Sequence, residues 1–221
     1  MASKTLPKDN TVKTAKPPRK TQAERSAATR KILLDAAIKC LFEHGYGTTT
    51  TILVAEMAGV SRGAMLHQFP SKADLMSFVV EAVFEDEVRQ YGKLLKGIDD
   101  PRERLLAYPM AVWKLHSRPA GVAVMEIFQG SRSDHALARK LKQTQAKIDK
   151  FAVASLESEF PHGVSIPLLQ LIVGVARGLA VSQLIAPTAR SAKEPMELFQ
   201  DLLRAGMEAH LLRADTKGKK K

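Results

Sequence analysis

The string Gly59-Val60-Ser61-Arg62-Gly63 sets a serine between two glycines, at the G-x-S-x-G spacing of the elbow that lifts a nucleophilic hydroxyl above an α/β-hydrolase sheet. With His67 or a later histidine as its base, a serine hydrolase acting through Ser61 is the enzymatic reading of the chain. An elbow needs a strand running into it. The residues ahead of Ser61 are Ala55, Glu56, Met57 and Ala58, good helix formers closed by Gly59, which tolerates positive φ. Ser61 then begins a second helical stretch, where its oxygen is best used as an N-cap for backbone N–H groups. The string therefore reads as a helix, a tight turn and a second helix. Small Ala55 sits at the crossing, Gly59 makes the turn, and apolar Val60 and Met65 hold the second helix down. On this reading the chain is not an enzyme.

Other chemistry-bearing residues are sparse. The six histidines show no H-E-x-x-H or similar spacing, so neither a metal nor a cofactor is expected. Cys40 is the sole cysteine; beside Ile38, Leu41 and Phe42 it reads as a small core residue. The net charge of +11 is concentrated at the ends. Residues 1–23 hold six Lys or Arg against Asp9, and residues 214–221 hold four Lys against Asp215. Both tails are too poor in apolar residues to fold, and serve either as solubilising ends or as arms that follow a phosphate backbone. A partner-binding or membrane-surface protein using these tails and its amphipathic helices is the other rival. No apolar run goes without charge for the roughly 18 residues a membrane span requires, and the N-terminus lacks the apolar stretch of a secretory signal. A cytoplasmic protein with no membrane partner is the expectation.

The elements that would position Ser61 and its neighbours are helices. From Ala23 the residues Ile32, Leu33, Ala36, Ala37, Cys40 and Leu41 form one stripe, which stops at Gly45. Two short helices follow, one from Thr50 or Thr51 to Gly59 and one from Ser61 to Pro70. Ser71 to Asp74 resembles a capping box opening a long helix that ends near Gly97. Further helices are expected over Pro101 to Leu115, Pro119 to about Gln129, Asp134 to Phe160, and Ser165 to Ile185, with a last one from Glu194-Pro195. No stretch alternates with period two. The fold class is all-α, with about nine helices and no internal repeat.

Taken in order, "FEHGY" ending the first helix, "TT" before the second, "AGVSRG" at the turn, "QF" closing the third and "SKADL" opening the fourth closely resemble the N-terminal domain of the TetR family of transcriptional regulators. The resemblance runs from about Thr29 to Met76. It implies a three-helix helix-turn-helix DNA-binding domain on a larger helical domain that dimerises and usually binds a small ligand. The division expected is a basic tail over 1–22, the DNA-binding domain over 23–70, a regulatory and dimerisation domain over 71–213, and a basic tail over 214–221. The implied function is a transcriptional regulator, read as a repressor, that binds a near-palindromic double-stranded operator as a homodimer and is released by a small-molecule effector.

A recognition helix lies in the major groove with its N-terminal residues at the base edges, which selects Ser61, Arg62, Gly63 and Ala64. Arg62 either pairs with guanine O6 and N7 or reaches phosphate. Leu66 stands where the family commonly has an aromatic, usually Tyr. It either packs inward or touches a thymine methyl. His67, Thr50 and Lys72 match positions the family uses on the phosphate backbone, although His67 reads equally as an ordinary surface histidine.

In the larger domain Phe84, Tyr108, Trp113, His116, Met125 and Phe128 mix aromatic, apolar and polar groups, as a ligand pocket does; ordinary core is the competing reading. Asp134 is expected to cap a helix, with Arg132 pairing with a carboxylate. The dimer surface is expected from Leu171, Gly174, Gly178 and Leu184 on one helix and Phe199, Leu203 and Met207 on the last. Burial of these residues within one chain is the alternative.

Overall fold

The computed structural model describes residues 21–159, 164–185, 193–209 and 211. The two expected basic tails lie outside them, apart from Thr21 and Gln22. Among the described residues all regular structure is helical: α1 (Gln22–Thr48), α2 (Thr51–Met57), α3 (Arg62–Gln68), α4 (Lys72–Leu94), α5 (Pro101–His116), α6 (Pro119–Gly130), α7 (His135–Glu159), α8 (Ile166–Ile185) and α9 (Lys193–Glu208). The starts follow from caps and prolines. Thr50, Ser61 and Ser71 each accept a backbone N–H three residues on, and Pro101 and Pro119 occupy first helical positions, where a missing N–H costs nothing. Thr21 and Glu24 form a reciprocal capping box at α1; its T-x-x-E signal is present in the sequence but was not among the expected starts. α1 breaks at Gly45, with φ at 71°.

Two apolar layers organise the molecule. In one, Leu33, Ala37, Cys40 and Leu41 of α1 pack with Val54, Met65, Phe69 and the first half of α4, and also with Ala123 and Ile127 of α6 and Leu137 and Leu141 of α7. Residues on both sides of the division expected after residue 70 contribute to this layer. In the other, Leu105, Leu106 and Val112 of α5 meet Leu168, Ile172 and Ala176 of α8 and Met196 and Leu203 of α9. α4 contributes to both, through Leu75 to Val83 at its start and Tyr91 near its end. By length and composition α8 is apolar enough to cross a membrane, but Arg177 interrupts it midway, so no apolar run of that length goes without charge.

Candidate nucleic-acid interface and regulatory core

The turn between α2 and α3 is fixed by backbone hydrogen bonds. Val60 N–H donates to Ala55 O at 2.9 Å and Gly59 N–H to Glu56 O at 3.1 Å, the paired closure of a Schellman motif. Gly59 supplies the positive φ it needs, 63°. Ala55 and Met65 are buried, as the helix-turn-helix reading requires. Ser61 Oγ accepts from Ala64 N–H at 3.2 Å. It is an N-cap that follows a helix and its turn, so the strand on which a hydrolase elbow depends is missing at this place.

That turn presents one edge outward. Arg62, Gly63 and His67 are exposed, and Ala64 is half-buried. A Cβ added at Gly63 would meet nothing within 4 Å, so a partner can approach the backbone there. Leu66 is 42% exposed, which decides against inward packing. Thr50 is exposed and caps α2 through Leu53 N–H at 3.1 Å. Below this edge Arg30 lies over the rings of Phe69 and Phe78, 4.8 and 4.3 Å from their centroids, holding the end of α3 against α1 and α4. Lys72 is placed differently: its ammonium donates to Tyr46 O at 2.6 Å and sits 3.8 Å from the Tyr46 ring centroid.

The residues expected to line a pocket divide among several contacts. Trp113 reaches both the α5–α8–α9 layer and a small cluster with Val122, Met125 and Ala180. Tyr108 lies 5.3 Å from the Tyr91 ring, and Phe128 lies beneath the Arg177 guanidinium at 5.7 Å. Phe84 instead packs edge-on against Phe151 of α7. His116 is buried with Nδ1 3.0 Å from Val112 O; burial, with Arg177 nearby, depresses its pKa to about 4. Trp113 Nε1 and Ser117 Oγ are buried without a hydrogen-bond partner among the described residues.

Sequence reasoning missed Glu87. Burial raises its carboxyl to about 7 against the pull of Arg177 and Arg118, and Tyr91, one turn on, is raised as well. The signal was available. The inward stripe of α4 through Met76, Val80 and Val83 reaches Glu87 at the next helical step, so a half-buried carboxylate continues the apolar face.

Two expectations about the last helices and the α6–α7 turn need correction. Leu203 is 4% exposed and Phe199 and Met207 pack beside it against α5 and α8, so this face of α9 is internal core. The stripe is apolar because it covers α5. Leu198 and Leu202 are exposed instead, each at 62%, together with Leu171 and Leu184 of α8. Gly174 and Gly178 are also exposed, with open space where a Cβ would go. Asp134 does cap α7, through Leu137 N–H at 2.9 Å. Arg132 is exposed and makes no ion pair among the described residues; Asp134 is engaged by the Tyr46 hydroxyl.

An exposed recognition edge on a capped helix-turn-helix defines a DNA-binding protein of the helix-turn-helix class. Residues 33–77 match the family model described as bacterial regulatory proteins, tetR family. An uncharacterised HTH-type transcriptional regulator of Mycobacterium tuberculosis is 25% identical over 193 residues, which cover 85% of this chain and 99% of that protein. The HTH-type regulator CymR of Pseudomonas putida is 40% identical over 93 residues, 41% of this chain and 46% of CymR. Among solved structures, a transcriptional regulator from Rhodococcus superposes with a TM-score of 0.61 at 20% identity, covering 86% of this chain and 99% of that one. The multidrug-binding protein EbrR, crystallised with imidazole, gives 0.53 at 17% identity over 85% of this chain and 97% of its own. Residues 33–77 are thus a TetR-family DNA-binding domain, and the chain as a whole shares the fold of these regulators.

Proposed function

We propose that the protein is a repressor that binds a near-palindromic operator as a homodimer and is released by a small molecule. The observation that carries the DNA part is the outward edge of α3, where Arg62, Gly63 and Leu66 stand exposed above a buried Met65. Arg62 supplies bidentate donors for guanine or a phosphate contact, and Leu66 offers an apolar surface suited to a thymine methyl. Ser61, Ala64 and His67 flank them, and Thr50 at the start of α2 grips the backbone. One such edge reads too few base pairs for useful specificity, which calls for two copies on a two-fold axis.

The exposed apolar residues Leu171, Leu184, Leu198 and Leu202, with Gly174 and Gly178 between the first two, support the dimer. An open apolar face with small residues allows a second copy to pack closely. This use also accounts for the apolar character of α8, and a cytoplasmic location follows. The effector site is placed around Trp113, His116, Met125 and Phe128, with Tyr108 at its side. The buried, unpaired Trp113 Nε1–H and Ser117 hydroxyl are groups that acceptor atoms of a ligand can satisfy once the core rearranges, and EbrR, of similar fold, is described as binding drugs. α4 belongs to both layers, so a ligand that favours one placement of α4 lowers operator affinity by its differential binding, typically about 1–3 kcal/mol.

Selection of bound duplexes from random-sequence DNA tests the core of this reading. A near-palindrome is the expected result, and recovery of no preferred sequence overturns it. Titration of the selected duplex with candidate effectors tests the remainder.

A further inference from the structure

Lys72 opens α4 at a position expected to touch phosphate, yet its ammonium is bonded to Tyr46 O at 2.6 Å and rests on that ring. The same tyrosine is held from three other directions. Its N–H donates to Glu126 Oε2 of α6 at 2.9 Å, and its hydroxyl donates to Asp134 Oδ2 at 2.7 Å. Its ring lies so close over Gly130, the last residue of α6, that a Cβ there would overlap the ring carbons. Asp134 meanwhile caps α7. Tyr46 is 9% exposed and follows the break in α1 at Gly45, where a Cβ would crowd the same Glu126 carboxylate. One residue, through its backbone and its ring, thus joins the end of α1, the start of α4, and the corner between α6 and α7. Burial lowers the pKa of Lys72, against the favourable charge of Asp134, which fits an ammonium withdrawn from solvent.

We propose that Lys72 is a positioning residue and not a phosphate contact: it closes a joint around Tyr46 that seats the DNA reader on the α6–α7 corner. The proposal rests on reading α1–α3 as that reader. A cation that loses its water to a carbonyl and a ring face exchanges poorly for a solvated phosphate. A phosphate-bound lysine would need the opposite, a free ammonium at the helix N-terminus.

The test uses the full chain with Lys72→Met, which keeps the apolar stem, and Gly130→Ala, which displaces Tyr46 from the far side and leaves Lys72 intact. Amide hydrogen exchange over residues 44–49 and the salt dependence of binding to a duplex selected by the unaltered protein are measured for each. Both variants are expected to speed exchange over residues 44–49, by about tenfold or more as local opening becomes easier. Both are also expected to weaken duplex binding with the salt slope unchanged. A phosphate contact predicts instead that Lys72→Met, which removes one contact from each half of the dimer, flattens the log–log slope by roughly 1.8. That flattening, or unaltered exchange in both variants, overturns the proposal. If Lys72→Met does not fold, Lys72→Gln takes its place and is read by the same exchange and salt-slope measurements. If no duplex is selected at all, the DNA reading fails, while exchange still reports whether Lys72 holds Tyr46.

Discussion

The α2–α3 unit and the α8–α9 pair are held by different kinds of contact. In the first, each polar side chain that starts a helix binds three residues away: Thr50 to Leu53 and Ser61 to Ala64. The last helix is set by distant groups. Gln200 Nε2 donates to Leu106 O at 2.6 Å across 94 residues of sequence, and Met196 and Leu203 are buried in the layer formed with α5. Short loops close at little entropic cost, so local bonds define the reader's elements early. The faces of α9 acquire their meaning only when α5 and α8 are already in place. The contrast makes the reader robust to interpretation and the regulatory layer sensitive to it.

The largest expected effect tests the inward face of α9. Leu203→Ala should destabilise the fold by about 2–5 kcal/mol, as truncations of buried leucine do, and urea unfolding measures it. A loss below about 0.5 kcal/mol would place Leu203 on the surface after all.

Next come two titrating groups of the regulatory layer, His116 buried and Glu87 half-buried. Glu87 is raised from 4.5 to about 7, so its stabilising contribution is complete below pH 4.5 and is lost as pH rises through 7. His116 is lowered from 6.5 to about 4; its contribution is complete above pH 6.5 and is lost as pH falls through 4. The two slopes oppose one another between pH 4.5 and 6.5. Glu87→Gln should therefore leave a protein that weakens on acidification, and His116→Gln one that weakens as pH rises, each by up to about 3 kcal/mol at 1.36 kcal/mol per pKa unit. Thermal melts across this range check it, and variants with parallel pH profiles would show that burial does not control these groups.

In the reader, Ser61→Ala should cost about 1 kcal/mol of stability through loss of the cap and leave the preferred duplex sequence unchanged. A hydrolytic activity abolished by the same substitution would revive the elbow. The smallest effect on folding belongs to the outward face of α9. Leu202→Ala should change monomer stability by less than about 0.5 kcal/mol while weakening self-association in sedimentation. Unchanged association would remove this face from the proposed dimer.

The starts of α2, α3, α4, α5 and α6 were legible because caps and first-turn prolines are satisfied by residues a few positions away. The outward edge of α3 was legible for the same reason: once Met65 is assigned inward, Arg62 and Leu66 fall on another face of a seven-residue helix. Glu87 was passed over because the cations that face it, Arg118 between α5 and α6 and Arg177 of α8, lie far off in sequence, and a carboxylate on a helix reads as a solvent-facing residue until other elements cover it. Phe84 shows the same dependence, since its ring partner is Phe151, 67 positions further along the chain.

By itself the sequence determined which segments are helical, where most of them begin, and that the string around Ser61 forms a turn between helices. These depend on interactions of short range along the chain, which nearby residues complete. Only the tertiary structure decided that Lys72 turns back onto Tyr46, that Leu203 is inside while Leu202 is outside, and that the Glu87 carboxylate is drawn away from water. Solvation and charge at these positions are set by elements that sequence spacing does not bring together, and packing chooses among faces that periodicity leaves equivalent.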